Sequence, residues 1–91
     1  MSKPSFEEIW NRIIAYEGKT FYTKKGLEFT YRIKGDIFYP SRTTYRISKT
    51  EFEKAYRMLP LNGPGEINRI VRGPTYVWAV LYDQRISLGK W

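Results

Sequence analysis

The 91-residue sequence contains neither cysteine nor histidine. Without cysteine the chain has no disulfide framework, no thiolate nucleophile and no cysteine-based zinc site. Without histidine it also lacks the usual general base at neutral pH and the commonest metal ligand. Because only carboxylates, tyrosines, lysines and serines are left for chemistry, we expect a protein that is not an enzyme and uses no cofactor.

Long apolar runs are missing too. The longest, residues 76–82, is far below the roughly 20 residues that a membrane-spanning helix needs. The N-terminal stretch MSKPSFEE has no apolar segment typical of a signal peptide, so we expect a cytoplasmic protein. A chain of this length supports one hydrophobic core, which predicts a single domain over residues 1–91.

Acidic residues are scarce. Nine Asp and Glu face sixteen Lys and Arg, which gives a net charge of +7. The excess is concentrated in residues 19–57, with ten bases against four acids. A positive field attracts polyanions, although basic charge also serves solubility alone.

Two helices are predicted from capping boxes followed by apolar positions at helical spacing. Ser5 and Glu8 open a helix over residues 5–17, which Gly18 ends. Ser48 and Glu51 open a second helix, which Pro60 ends. Its expected buried stripe consists of Phe52, Ala55, Tyr56 and Leu59.

Between these helices the apolar period changes to two, which indicates strands. We predict an antiparallel meander of three to four strands over residues 19–24, 27–34, 37–39 and 43–47. Turns at Gly26 and at Gly35-Asp36 connect the first three strands, and Pro40 ends or bulges the third.

The C-terminal third is less regular. Residues 66–72 are predicted as a short helix. Residues 75–82 are rich in strand formers but do not alternate, so they fit a buried helix or a strand, with the helix favoured because Pro74 suits a first helical turn. Residues 83–91 are predicted as a polar tail in which Trp91 has no assignable partner. Together these elements predict the α+β class.

The tetrapeptide TYRI occurs at residues 30–33 and again at 44–47. In a strand it turns Tyr and Ile to the core and Thr and Arg to the opposite face. The uncovered face of the meander then gathers cations, which suit phosphate contacts. We therefore predict a sequence-tolerant DNA- or RNA-binding accessory domain that uses Lys24, Lys25, Arg32, Lys34, Arg42 and Arg46.

Two alternatives remain open. The outer face of an open antiparallel sheet is normally polar, so the same residues also fit an ordinary surface. The chain also fits a protein-interaction module or homo-oligomer that binds through Phe38 and Tyr39, with sheet extension at an exposed edge strand. Steep salt dependence would distinguish polyanion binding from an aromatic interface.

The segments GKTFYT, FTYRIKGD, PSRTTYRISKTEFEKA and GPTYVWAVLYDQRI resemble a small bacterial domain of unknown function. That domain occurs alone or attached to larger proteins, some of them involved in DNA processing. The resemblance covers residues 6–86 and implies a self-contained α+β module. It brings no catalytic residues, and it favours nucleic-acid binding.

Overall fold

The computed structural model describes residues 4–91 and has the predicted α+β architecture. The helices are α1 (Phe6–Ala15), α2 (Lys49–Arg57), α3 (Pro74–Leu81) and α4 (Gln84–Ser87), with a 3-10 helix at Pro64–Ile67. The strands are β1 (Phe21–Tyr22), β2 (Glu28–Phe29), β3 (Tyr31–Lys34), β4 (Ile37–Pro40) and β5 (Ile47–Ser48). Within residues 4–91, every helix is too short or too polar to span a bilayer.

Helix α1 forms where its capping box predicts. The Ser5 hydroxyl accepts a hydrogen bond from the Glu8 amide at 3.2 Å, which satisfies one of the free amides of the first turn. The apolar face is buried. The Tyr31 hydroxyl donates to the carbonyl of Ile13 at 2.5 Å and so fastens α1 to β3.

The strands form two antiparallel sheets instead of one meander. β1 pairs with β2, whereas β3, β4 and β5 form a second sheet with β4 in the centre. The prediction of one strand over residues 27–34 is wrong, because the strand is interrupted at Thr30, which separates β2 from β3. Its amide donates to Ser41 Oγ at 3.0 Å, and its carbonyl accepts from the Ser41 amide at 2.9 Å. The expected alternation of burial holds from Phe29 onwards, but Leu27 is 51% exposed.

The predicted strand at residues 43–47 is also wrong over most of its length. Only its last residue, Ile47, pairs with β4. The Tyr45 amide donates to Thr43 Oγ1 at 3.4 Å, a local bond that replaces a ladder hydrogen bond. Tyr45 is consequently 46% exposed and does not join the core. The strand predicted at residues 19–24 is shortened in the same way, to Phe21–Tyr22.

Helix α2 confirms the second helix prediction, but its capping box is wrong. The Ser48 side chain makes no capping bond. Glu51 instead accepts the Arg72 amide at 2.8 Å and pairs with Lys54 at 3.1 Å. The side chain expected to cap α2 therefore ties it to the loop before α3.

The chain after α2 differs from prediction at two places. The helix expected over residues 66–72 is a 3-10 helix that ends at Ile67, and Ile70 is 41% exposed. Residues 75–82 are helical, as favoured. The predicted polar tail contains α4, and Trp91 Nε1 donates to the Leu81 carbonyl at 2.8 Å. The Trp91 ring also packs against Tyr56, with centroids 5.3 Å apart.

The core lies between the three-stranded sheet and the helices. Tyr31, Phe38 and Ile47 are buried on the inner face of this sheet. The Phe38 ring stacks on Tyr31 at 4.5 Å and contacts Phe52 of α2 at 4.9 Å. Because the helices pack on this inner face, the side chains that alternate with the core residues form the opposite, outer face of the sheet.

Candidate functional site

Five of the nine acidic side chains form ion pairs with cations of the helices. Five ion pairs connect Glu8 to Arg12, Glu7 to Lys49, Glu51 to Lys54, Glu53 to Arg57 and Asp83 to Arg85. All ten residues belong to α1, α2 or α4 or cap one of them. The Glu17 carboxylate accepts the Ile33 amide at 2.9 Å, and Glu66 accepts hydrogen bonds from Asn62. Four carboxylates, those of Glu17, Glu28, Asp36 and Glu66, form no ion pair with a cation of residues 4–91 and keep their negative charge.

Ten cations have no ion-pair partner within residues 4–91. Nine of them fall in residues 19–72, and all ten side chains are exposed. They are Lys19, Lys24, Lys25, Arg32, Lys34, Arg42, Arg46, Arg69, Arg72 and Lys90. All six predicted site residues belong to this set, so their predicted exposure is confirmed. Their predicted arrangement on one face is confirmed only in part.

Arg32 and Lys34 belong to the outer face of the three-stranded sheet, and Arg46 adjoins the sheet at the start of β5. Arg32 and Lys34 alternate with the core residues of β3, opposite Tyr39 and Ile37 of β4. Arg46 immediately precedes β5, where Ile47 pairs with Phe38. Arg46 itself lies outside the ladder, one residue before this pair. We call Arg32, Lys34, Tyr39 and Arg46 the basic face.

Arg42 lies outside the ladder, in the turn after β4. Its guanidinium donates to the Glu28 carbonyl at 3.2 Å and thus bridges to the two-stranded sheet. It lines a cleft of about 420 Å³ between the two sheets. Three hydroxyl groups, from Thr20, Thr30 and Ser41, share this cleft. Arg42 is therefore a neighbour of the basic face and not part of it.

Lys24 and Lys25 are at the turn of the β1–β2 hairpin, on the other sheet. Lys24 Nζ donates to the Asn62 carbonyl at 3.4 Å and lies 5.9 Å from the centroid of the Trp78 ring. Both lysines line a groove of about 300 Å³ whose floor includes the exposed Leu27. The predicted single surface is thus divided, because the hairpin and the three-stranded sheet are separate.

Arg69 and Arg72 were not predicted as site residues. They were assigned to a helix, whereas they lie in irregular chain next to Gly73. A Cβ on Gly73 would approach Tyr45 Cδ2 at 3.6 Å, so this segment lies against the loop that carries Arg46. The nearest carboxylate in sequence, Glu66, accepts hydrogen bonds from Asn62 instead of pairing with Arg69, which the sequence does not indicate.

The aromatic pair expected to bind a protein partner is divided by the sheet. Phe38 is wholly buried in the core, so its assignment to an interface is wrong. Tyr39 is half-buried on the opposite face. The free edge of β3 is also occupied, because Gly18 N donates to the Tyr31 carbonyl at 3.0 Å and Glu17 accepts the Ile33 amide. These contacts leave β3 without the open edge that sheet extension needs.

Shifted pKa values occur where side chains hold the fold together. Burial raises the pKa of Tyr31, whose hydroxyl binds α1. Burial alone would raise the pKa of Asp83, but hydrogen bonds from the Arg85 side chain and amide hold it below its usual value. Burial alone would also raise the pKa of Glu51, but hydrogen bonds from the Arg72 amide and from Lys54 hold this pKa below its usual value. Each shift is explained by a structural contact.

Residues 4–91 contain no cluster of three or more carboxylates that would hold a metal ion. No family model, curated protein or solved structure matches the chain. Arguments about function therefore depend on the geometry and charge of the side chains themselves.

Proposed function

We propose that the protein is a non-enzymatic accessory domain that binds nucleic acid through the basic face, in the cytoplasm and with little sequence preference. The observation that carries this proposal is the segregation of charge. Five of the nine carboxylates are paired with helical cations, while ten exposed cations have no ion-pair partner within the described residues. Free cations bind phosphates without first breaking an ion pair, and they release counterions from the nucleic acid.

Arg32, Lys34 and Arg46 have the central role in this proposal. The two guanidinium groups offer forked donors to phosphate oxygens, and Lys34 adds a point charge. Arg42, Lys24 and Lys25 serve as peripheral phosphate contacts. Contacts of this kind position the protein on a phosphate backbone but carry little sequence information, which is the reason for proposing sequence-tolerant binding.

The test is a double charge reversal, Arg32→Glu with Arg46→Glu. We expect it to abolish measurable binding of labelled oligonucleotides in fluorescence anisotropy, without unfolding the domain. For the parent protein, log Kd should rise steeply with log salt between roughly 50 mM and 200 mM. Single reversals should each flatten this slope by about one unit.

The charge-matched control is Lys54→Glu with Arg57→Glu; because it also breaks the ion pairs to Glu51 and Glu53, thermal unfolding checks that this variant is folded. Both residues are exposed on α2, which packs against the inner face of the sheet, and this double variant changes the net charge by the same amount. It should bind nearly as well as the parent. Equal loss of affinity in both double variants would show that net charge alone attracts the ligand, and the proposed face would be wrong.

A further inference from the structure

Five of the eight tyrosines have contacts that explain their positions. Tyr31 and Tyr82 hydrogen-bond to backbone, Tyr56 packs against Phe6 and Trp91, Tyr76 packs against Phe29, and Tyr16 lies under Arg85. The remaining three are Tyr22, Tyr39 and Tyr45. Within residues 4–91 these three have no ring contact and no side-chain hydrogen bond. Their rings contribute nothing visible to the fold beyond local packing.

Tyr39 differs from the other two by its position. It belongs to β4, the central strand of its sheet, and it faces Arg32 across the ladder. Directly opposite residues on one sheet face have Cβ atoms about 5 Å apart. On the other side of β4, Arg46 directly precedes Ile47, which pairs with Phe38, the neighbour of Tyr39 in the chain. Tyr39 thus lies directly opposite one arginine and close in the sheet to the start of the strand that a second arginine precedes, and neither arginine has a carboxylate partner among the described residues.

We propose that Tyr39 stacks with a nucleotide base and that the preferred ligand is single-stranded nucleic acid. This inference rests on the proposed function of the basic face. In a duplex the faces of the bases are covered by their neighbours, whereas in a single strand they are free to stack on an aromatic ring. Arg32 and Arg46 are placed to bind the phosphates on either side of the stacked base. Stacking tolerates any base, which agrees with sequence-tolerant binding.

The experiment compares three variants in fluorescence anisotropy. Tyr39→Leu removes the ring and keeps apolar bulk, and Tyr39→Phe keeps the ring and removes the hydroxyl. Tyr22→Leu is the control, because Tyr22 is an equally unpartnered tyrosine on the other sheet, 58% exposed. The probes are a labelled oligothymidine of about 15 nucleotides and the same strand annealed to its complement. Thermal unfolding of each variant checks that it is folded.

We expect the parent to bind the single strand more tightly than the duplex. Tyr39→Leu should weaken single-strand binding by about 5- to 150-fold, the effect of losing one stacked base, with the salt dependence unchanged. Tyr39→Phe and Tyr22→Leu should bind like the parent. Tighter binding of the duplex by the parent, or full affinity in Tyr39→Leu, would overturn the stacking proposal while leaving the basic face intact. If the parent binds neither probe, the proposed function itself fails.

Discussion

Arg85 and Arg32 show how differently two arginines are used in this protein. The Arg85 guanidinium lies 4.0 Å from the centroid of the Phe21 ring and donates to the Thr20 carbonyl and to Asp83, each at 2.8 Å. These contacts tie α4 to the first hairpin. Arg32 has no such partner and is exposed. At the level of single residues, the contacts of a cation therefore separate structural arginines from those available to a ligand.

The Asp83–Arg85 contact makes stability depend on pH in a definite direction. Burial alone would raise the pKa of Asp83, but the hydrogen bonds from Arg85 hold it below its ordinary value. The ionised carboxylate therefore stabilises the fold above the unfolded-state pKa of about 3.9, and this contribution is lost as the pH falls through the folded-state pKa.

We expect Asp83→Asn to lower the free energy of unfolding by about 1 kcal/mol at neutral pH. Urea unfolding at about pH 7 and at about pH 3 measures this, and the difference between parent and variant should shrink at the lower pH. A difference of the same size at both pH values would mean that the charge of Asp83 does not stabilise the fold.

At the level of elements, Gly73 controls how the loop before α3 packs against β5. Its φ of 62° is in the left-handed region, and a Cβ there would lie 2.5 Å from Ile47 Cδ1. Ile47 is wholly buried, so its side chain has little room to move away. Gly35 has nearly the same φ, 60°, but a Cβ at that position would meet nothing within 4 Å.

The two glycines form a matched pair for testing this packing. Gly35→Ala should cost about 1 kcal/mol, from backbone strain alone. Gly73→Ala should cost about 1–3 kcal/mol more because of the clash with Ile47. Thermal unfolding should therefore show a Tm for Gly73→Ala at least roughly 5 °C below that of Gly35→Ala. Equal Tm values would mean that the core adjusts around Ile47 and that the close approach is unimportant.

Helices α1 and α2 were predictable because their signals, apolar spacing and flanking Ser, Gly and Pro residues, are local. Pro74 only favoured a helix over a strand for α3, and α4 was predicted as a polar tail. The strand boundaries were not predictable, because they depend on contacts between residues far apart in the sequence. The two hydrogen bonds between Thr30 and Ser41 are an example. The capping box predicted at Ser48 is wrong for the same reason. Glu51 accepts a hydrogen bond from the Arg72 amide, which lies 21 residues away in the sequence.

At the level of the whole molecule, the exposure of the six predicted cations followed from strand alternation and turn positions. Their distribution over separate surfaces did not follow from the sequence pattern. The interruption of the strand at Thr30 puts Lys24 and Lys25 on a different sheet from Arg32 and Lys34. Of the five ion pairs, only Glu7–Lys49 was hidden, since it joins residues 42 positions apart, whereas the other four join residues two to four positions apart. The sequence therefore predicts that the surface is basic, and the three-dimensional contacts define which cations remain available.

The most direct test of the basic face is an amide chemical-shift titration of isotope-labelled protein with single-stranded oligothymidine of about 15 nucleotides. The largest changes are expected in β3, in residues 37–39 and in residues 46–48, with α2 unchanged because it packs behind the sheet. Changes confined to α1 and α2, with the amides of β3 and β4 unaffected, would contradict binding through this face.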